Sequence, residues 1–151
     1  MRQGKYEPEK YDHFIAGRSL DPGVKPGFAP TGYCDSKLMN ALFTKQLAEK
    51  TGSSVTSVCV CPGWCYTQLA RSIRIPFYKK FLFLPIAFIF MRSAVRGAHN
   101  IIHGAVEETS NLINGGFYRE CKVSVEDNTR LDGLNESALN LWESSEKLCK
   151  I

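Results

Sequence analysis

The feature that most constrains the fold is a helical pattern followed closely by a short, strongly apolar run. Residues 38–50 carry one apolar stripe that neither Pro nor Gly interrupts, formed by Leu38, Leu42, Phe43 and Leu47. After a short Gly turn, residues 55–61 form a β-branched, nearly continuous apolar run, which is typical of a buried parallel strand. The run ends in Pro62-Gly63. This succession predicts an α/β fold that binds ligands at the carboxyl ends of its strands.

Tyr33 and Lys37 open the predicted helix and lie four positions apart. Positions four apart share one face of a helix, so the phenol and the ammonium are expected to point into the same space. A cation beside a phenol favours the phenolate, which suits proton exchange with a carbonyl or an alcohol. The pattern taken alone is common, and most occurrences are a surface Tyr beside a solvated Lys. The apolar strand and the Pro-Gly turn that follow favour a catalytic role here.

The later sequence predicts further alternation of helix and strand. Residues 93–108 read as a helix with Ser93 as its N-cap, and residues 117–121 read as a short strand after Gly115-Gly116. A final amphipathic helix is capped by Asn135 or Ser137, and its predicted inward side chains are Leu139, Trp142 and Leu148. The predicted order is helix-strand-helix-strand-helix, with two parallel strands joined by a right-handed crossover. Their exposed edge would allow pairing with another chain, including a homo-oligomer.

Several of these motifs together resemble the short-chain dehydrogenase/reductase family, and most closely its retinol-dehydrogenase-like subgroup. The matching segments are Tyr33-x-x-Ser36-Lys37, Leu42-Phe43-Thr44, Pro62-Gly63-x-x-x-Thr67, Gly115-Gly116-Phe117-Tyr118 and Leu141-Trp142-Glu143-Ser144-Ser145. The resemblance covers roughly residues 30 to 151 and is specific as a set rather than in any single piece. It implies the carboxyl-terminal part of a doubly wound, Rossmann-type parallel sheet.

The resemblance also implies an activity and a set of roles. The reaction would be the NADP- or NAD-dependent interconversion of a lipophilic alcohol and its carbonyl. Tyr33 would exchange a proton with the substrate oxygen, and Lys37 would assist Tyr33 and hydrogen-bond the nicotinamide ribose. Pro62, Gly63 and Thr67 would contact the nicotinamide, which carries the hydride. The residue that distinguishes NADP from NAD in the family has no counterpart in the matching segments.

No Gly-rich dinucleotide turn follows a strand in this sequence. Its only run of spaced glycines, within residues 23–32, is interleaved with prolines, which remove backbone donors. We therefore interpret residues 1–32 as an irregular segment and residues 33–151 as the carboxyl-terminal part of the enzyme domain. The chain alone is expected not to be catalytically competent. The alternative function is a non-catalytic, membrane-associated or partner-binding fragment.

An apolar insert at residues 71–92 carries an unusual charge pattern. No acidic residue occurs between Glu49 and Glu107, whereas Arg71, Arg74, Lys79, Lys80, Arg92 and Arg96 flank the apolar run at 81–91. Eleven residues are too few to span a bilayer. A core segment, a lid over an apolar substrate and a membrane-interface patch remain open, and the flanking cations favour a lid that contacts an anionic membrane surface. Nucleic acid is not an expected partner, because the cations flank an apolar segment.

The cysteines and histidines do not predict a disulfide or a metal site. Cys59, Cys61 and Cys65 lack a zinc-binding spacing, and His99 and His103 are predicted to be ordinary helix-face residues without a carboxylate partner. The charged amino terminus lacks the apolar core of a signal peptide. These features predict an intracellular location, either in the cytoplasm or on the cytosolic face of an internal membrane such as the endoplasmic reticulum.

Overall fold

A computed structural model describes residues 4–8, 31–65 and 91–149 of the 151-residue chain. Within these residues the chain forms four helices and one three-stranded sheet, an α/β arrangement. The helices are α1 (Thr31–Thr51), α2 (Ala94–Val106), α3 (Val125–Asp132) and α4 (Asn135–Cys149). The strands are β1 (Cys59–Cys61), β2 (Phe117–Arg119) and β3 (Lys122–Val123), and a 3-10 turn, Thr109–Asn111, precedes β2.

Helix α1 confirms the predicted helix and supplies the centre of the core. Leu38, Ala41 and Leu42 are almost completely buried, and they cluster with Phe117 of β2 and with side chains of α3 and α4. The helix ends at Gly52, whose φ of 57° is left-handed and whose N–H donates to the Ala48 carbonyl at 3.0 Å. This is the αL termination that a Gly after a helix favours.

The parallel pairing of β1 and β2 is also confirmed. Cys59 pairs with Phe117 and Cys61 with Arg119, and α2 lies on the connection between the two strands. The third strand is an addition that the sequence analysis missed. Glu120 and Cys121 both adopt positive φ, which reverses the chain so that β3 pairs antiparallel with β2. The predicted strand 117–121 is therefore a shorter strand followed by a tight turn.

The prediction of a buried strand over residues 55–61 was wrong in both length and burial. Only Cys59–Cys61 is a strand, its side chains are half-buried, and Val55 is exposed. The physical reason is its place in the sheet, because the described order β1-β2-β3 gives β1 one neighbouring strand and leaves it at an edge. The apolar composition of residues 55–61 predicted burial, which a strand at the edge of the described sheet receives only in part.

Helix α2 begins after Ser93, which is the predicted N-cap, and the Ser93 hydroxyl accepts from the Arg96 N–H at 3.3 Å. The buried residues of α2 are Gly97 and Asn100, and a Cβ at Gly104 would lie 2.8 Å from Val60 Cγ2. Its larger apolar residues are exposed: Val95, Ile101, Ile102 and Val106. Small residues on the inner face of α2 therefore bring its backbone close to β1.

The predicted final helix is α4, which begins at Asn135, whereas α3, which ends just before Gly133-Leu134, is a helix that the sequence analysis missed. Leu131, Ala138 and Leu141 are the buried residues that face the core. The prediction that Leu139 and Leu148 point inward was wrong, since both are exposed. Trp142 is half-buried and stacks on Phe43, with 5.0 Å between the ring centroids. Helix α4 turns Ala138 and Leu141 toward the core, where they cluster with Leu131 of α3 and with the buried side chains of α1.

Part of the predicted irregular segment is fixed to the fold. The Lys5 N–H donates to Asp35 Oδ1 at 2.8 Å, and Arg130 Nη2 donates to the Gly4 carbonyl at 2.9 Å. Gly4 is buried so closely that a Cβ would lie 2.5 Å from the Cys34 carbonyl oxygen. Residues 4–8 thus connect α1 and α3, whereas residues 9–30 lie outside the described part of the chain.

Candidate active site

Tyr33 and Lys37 lie in the first two turns of α1, on one side of the helix. The Lys37 Nζ is 5.6 Å from the centroid of the Tyr33 ring. Both side chains are exposed, with 43 % of Tyr33 accessible, so a bound molecule could reach the phenol oxygen. Ser36, the third residue of this motif, donates its hydroxyl proton to the Tyr33 carbonyl at 2.8 Å. The helix therefore brings the phenol and the ammonium together, as the four-residue spacing predicts.

Lys37 also lies within electrostatic reach of β1. Burial, followed by the neighbouring Cys61, raises the pKa of the Cys59 thiol to about 11, and the Lys37 ammonium acts in the opposite direction. Cys59 is therefore a neutral thiol at physiological pH, and it is not a nucleophile. The amino-terminal part of α1 and the strand that leads to Pro62 thus belong to one local environment.

Pro62 and Gly63 follow β1 at its carboxyl end. Gly63 has a φ of 78°, a left-handed conformation that favours glycine, and Pro62 is exposed. Because β1 and β2 are parallel, the end of β2 at Arg119 lies at the same edge of the sheet. That edge is where open α/β sheets bind ligands. Thr67, the third residue predicted to contact the cofactor, lies outside the described residues.

Loop 62–65 is held by contacts that the sequence analysis missed. The Arg92 N–H donates to the Trp64 carbonyl at 2.7 Å, and the Arg92 guanidinium pairs with Glu120. Asn100, a buried residue of α2, donates to the Cys61 carbonyl and accepts the Cys121 N–H at 2.7 Å. The sequence signal that could have identified Asn100 is a polar residue on the inner face of a predicted helix, because a buried amide needs hydrogen-bond partners.

Cys65 and Arg92, on either side of residues 66–90, meet beside this loop. Cys65 forms a parallel bridge with Arg92, while residues 66–90 lie outside the described part of the chain. The predicted lid and membrane-contact region at 71–92 is therefore described only at Met91 and Arg92. Arg92 is paired with Glu120 rather than left as a flanking cation.

A second polar group lies at the carboxyl end of β2. Arg119 Nη2 donates to Asp127 Oδ2 at 2.8 Å, and the Ser124 hydroxyl donates to the same oxygen at 2.7 Å. Asp127 is 1 % exposed, so this pair fixes α3 to β2. The sequence analysis assigned no role to either residue.

All six cysteines are free thiols in the structure. No group of three or more potential metal ligands occurs among the described residues. The prediction that the helix-face histidines lack a carboxylate partner was wrong for His103, because Glu107 Oε2 lies 3.1 Å from its Nδ1. His103 lies in the last turn of α2, and Glu107 is the C-cap of that helix.

An open groove of about 660 Å³ lies at the opposite edge of the sheet. It is lined by the carboxyl end of α1, the Gly115-Gly116 turn and α3, and it contains none of the predicted site residues. Among the described residues, no helix has both the length and the apolar content needed to cross a membrane. We therefore keep Tyr33, Lys37 and loop 62–65 as the candidate site.

Comparison with known proteins places this arrangement among dehydrogenases. The chain is 35 % identical over 116 residues to retinol dehydrogenase 14 of Homo sapiens, which covers 76 % of this chain and 34 % of that protein. It is 35 % identical over 127 residues to retinol dehydrogenase 12 of Homo sapiens, covering 83 % and 37 %. Dehydrogenase/reductase SDR family member 13 of Bos taurus is 27 % identical over 148 residues, covering 97 % and 36 %.

The chain thus spans about a third of the length of these curated relatives. No protein-family profile matches the chain, and no solved structure matches it. The matched residues nevertheless cover most of the chain and include the Tyr33–Lys37 helix and the Pro62-Gly63 turn in the longest alignment. The chain is therefore a retinol-dehydrogenase-like region of the short-chain dehydrogenase/reductase family.

Proposed function

We propose that the protein carrying this chain is a retinol-dehydrogenase-type oxidoreductase. It interconverts a lipophilic alcohol and its carbonyl with NAD or NADP. The observation that carries the proposal is the exposed Tyr33 side chain with the Lys37 ammonium 5.6 Å from its ring centroid, on the helix that precedes β1. Support also comes from the names of the relatives, which are retinol dehydrogenases.

The described residues fit a dinucleotide at this edge. Gly63 adopts a left-handed turn directly after β1, so its backbone can approach a flat ligand without a Cβ in the way. Lys37 and Tyr33 are exposed donors on the facing helix. In the proposal, Lys37 hydrogen-bonds the nicotinamide ribose, and Pro62, Gly63 and Thr67 contact the nicotinamide. The nicotinamide, when bound, supplies or accepts the hydride.

The chain's own residues perform the proton chemistry. Tyr33 donates a proton to the substrate oxygen during carbonyl reduction and takes it back during alcohol oxidation. The Lys37 ammonium stabilises the phenolate that remains after donation, because an adjacent cation favours the charged form. A lipophilic substrate would be held by apolar surface near this edge, and the apolar insert at 71–92 is the proposed source of that surface.

The proposal is tested by retinal reduction with NADH and NADPH. The 151-residue chain and a longer version that carries a Gly-rich dinucleotide turn are assayed side by side. The longer protein is expected to turn over, and the 151-residue chain is expected not to, because the sequence has no phosphate-binding turn. Saturable cofactor binding without any turnover in the longer protein would favour the non-catalytic, partner-binding alternative.

Tyr33→Phe in the longer protein is expected to lower kcat at least about 100-fold, the range for losing a general acid. Tyr118→Phe is the matched control. The Tyr118 hydroxyl accepts the Ile113 N–H at 2.8 Å, far from the proposed chemistry, so this variant should lose stability and keep turnover. Equal activity of Tyr33→Phe and the unmodified protein would refute the assignment of Tyr33.

A further inference from the structure

We propose that Asn100 of α2 is a positioning residue. Its side chain binds the carboxyl end of β1 and thereby sets the conformation of loop 62–65, which follows that strand. The role of that loop in holding the nicotinamide rests on the proposed function. The fixing of the loop by Asn100 is argued independently of that role, from the contacts of Asn100 and the packing of α2.

The first observation is the geometry of the Asn100 amide. Its Nδ2 donates to the carbonyl of Cys61, the last residue of β1, and its Oδ1 accepts the N–H of Cys121 at 2.7 Å. One side chain thus joins the carboxyl end of β1 to the turn that follows β2. Asn100 is 3 % exposed, so neither hydrogen bond can be replaced readily by water.

The second observation is the constrained backbone on both sides of this bridge. Glu120 and Cys121 have φ values of 57° and 58°, an unusual conformation for residues with a Cβ. Gly63, two residues after Cys61, also has positive φ. Strained turns persist only where the surroundings fix them, and Asn100 contacts both turns or their direct neighbours.

The third observation is the close packing of α2 on loop 62–65. A Cβ at Gly97 would lie 2.3 Å from Cys65 Sγ and 3.5 Å from Pro62 Cβ, and Cys65 Sγ also lies 3.3 Å from the Pro62 carbonyl. Gly97 is one turn before Asn100 on the same face of α2. The helix therefore approaches the loop closely enough that a shift of α2 would move Pro62 with it.

The described part of the chain offers a matched control in Asn128. This residue of α3 bridges the amino end of β2, where its Oδ1 accepts the Phe117 N–H at 2.9 Å and its Nδ2 donates to the Phe117 and Ser124 carbonyls. Asn100 and Asn128 therefore perform the same kind of bridge at opposite edges of the sheet. Only the Asn100 bridge touches the edge that carries Pro62.

The first experiment uses the 151-residue chain. Trp64 and Trp142 are its two tryptophans, so Trp142→Phe leaves Trp64 as a single fluorescent reporter inside loop 62–65. Asn100→Asp keeps the acceptor for the Cys121 N–H and loses the donor to the Cys61 carbonyl. We expect it to lower the fluorescence anisotropy of Trp64, while Asn128→Asp leaves the anisotropy unchanged. Equal effects of both variants, or no effect of Asn100→Asp, would overturn the proposal.

The second experiment measures kinetics in the longer, active protein. Asn100→Asp should raise the KM for the cofactor about fivefold, the effect of one weakened buried hydrogen bond. The KM for retinal should stay within about twofold, because a displaced loop 62–65 affects the nicotinamide and not the apolar substrate surface. Asn128→Asp should change neither KM. An unchanged cofactor KM in Asn100→Asp refutes the positioning role.

The two experiments separate this inference from the proposed function. An unmodified longer protein without turnover would remove the oxidoreductase assignment, while the Trp64 anisotropy would still decide whether Asn100 fixes the loop. A changed anisotropy together with an unchanged cofactor KM would overturn the positioning role and leave the oxidoreductase assignment intact.

Discussion

Removing either partner of the Arg119–Asp127 pair should destabilise the fold, and the two single variants should differ. Asp127 is 1 % exposed and accepts from both Arg119 and the Ser124 hydroxyl. The Arg119 side chain is 35 % exposed, and its Nε is buried without a hydrogen-bond partner among the described residues. The carboxylate is therefore the partner that depends more strongly on the pair.

The magnitudes follow from this difference in burial. Arg119→Met leaves a buried carboxylate without its cation, a change that typically costs about 3–5 kcal/mol of unfolding free energy. The Ser124 hydroxyl still serves Asp127, so we expect about 3 kcal/mol, at the lower end of that range. Asp127→Ala frees Arg119 to reach water and to hydrate its Nε. The variant also removes the acceptor of the Ser124 hydroxyl, and because both donors are only half-buried they can turn to water. We expect the total loss to be about 1.5–2 kcal/mol, the low end of the range for hydrogen bonds to a charged group.

The assay is equilibrium urea denaturation of both single variants and the double variant. The double variant should cost at least about 1 kcal/mol less than the sum of the single variants, because it lacks the buried carboxylate that Arg119→Met leaves without its cation. Asp132→Ala is the control, since its exposed pair with Lys45 should contribute less than about 1 kcal/mol. The reasoning is refuted if Asp127→Ala costs as much as Arg119→Met, or if the single effects simply add.

Three further predictions concern cysteine reactivity, helix packing and membrane contact. Burial raises the pKa of the Cys59 thiol to about 11, so its reactive thiolate is almost absent well below that pH. Iodoacetamide at pH 8 should therefore label the exposed Cys121 well before Cys59. Equal labelling rates by peptide mass spectrometry would contradict this. Gly97→Ala should lower the melting temperature, because the added Cβ would clash with Cys65 Sγ. Adding Cys65→Ala should restore the melting temperature. A single variant as stable as the unmodified chain would argue against the close approach of α2 to the loop. Replacing Lys79 and Lys80 by Glu should weaken co-sedimentation with anionic vesicles several-fold, because each cation near such a surface contributes about 1 kcal/mol. High salt should have the same effect, because it screens these charges. Binding that is indifferent to both changes would favour the interpretation of the apolar run as a core segment.

Much of the local structure could be predicted from the sequence because its causes are local. The stripe that contains Leu38 and Leu42, followed by Gly52, was sufficient to define α1 and its end. Ser93 marked the start of α2. The four-residue spacing of Tyr33 and Lys37 was sufficient to place the phenol beside the ammonium, because helical geometry fixes the neighbours of each position.

Which face each element buries depended on the tertiary structure. The apolar side chains of α2 are exposed, while Gly97, Asn100 and Gly104 face the sheet, because the helix approaches β1 too closely for large side chains. Leu139 and Leu148 looked suitable for the core, and the position of α1 selected Ala138 and Leu141 instead. A hydrophobic pattern identifies an amphipathic helix, but its neighbours decide which stripe is covered.

The sequence by itself determined the family and the Tyr33–Lys37 pair, since both depend on residue types at fixed spacings. Only the tertiary structure showed that Asn100 joins the two strand ends and that Asp127 meets Arg119. Each of these bonds joins residues of two different secondary-structure elements, so the spacing of residues within one element cannot predict it. In particular, Asn100 reaches Cys61, which lies 39 positions earlier in the chain. Hydrogen bonds between distant segments require the relative positions of helix and sheet, and packing of the whole domain sets those positions.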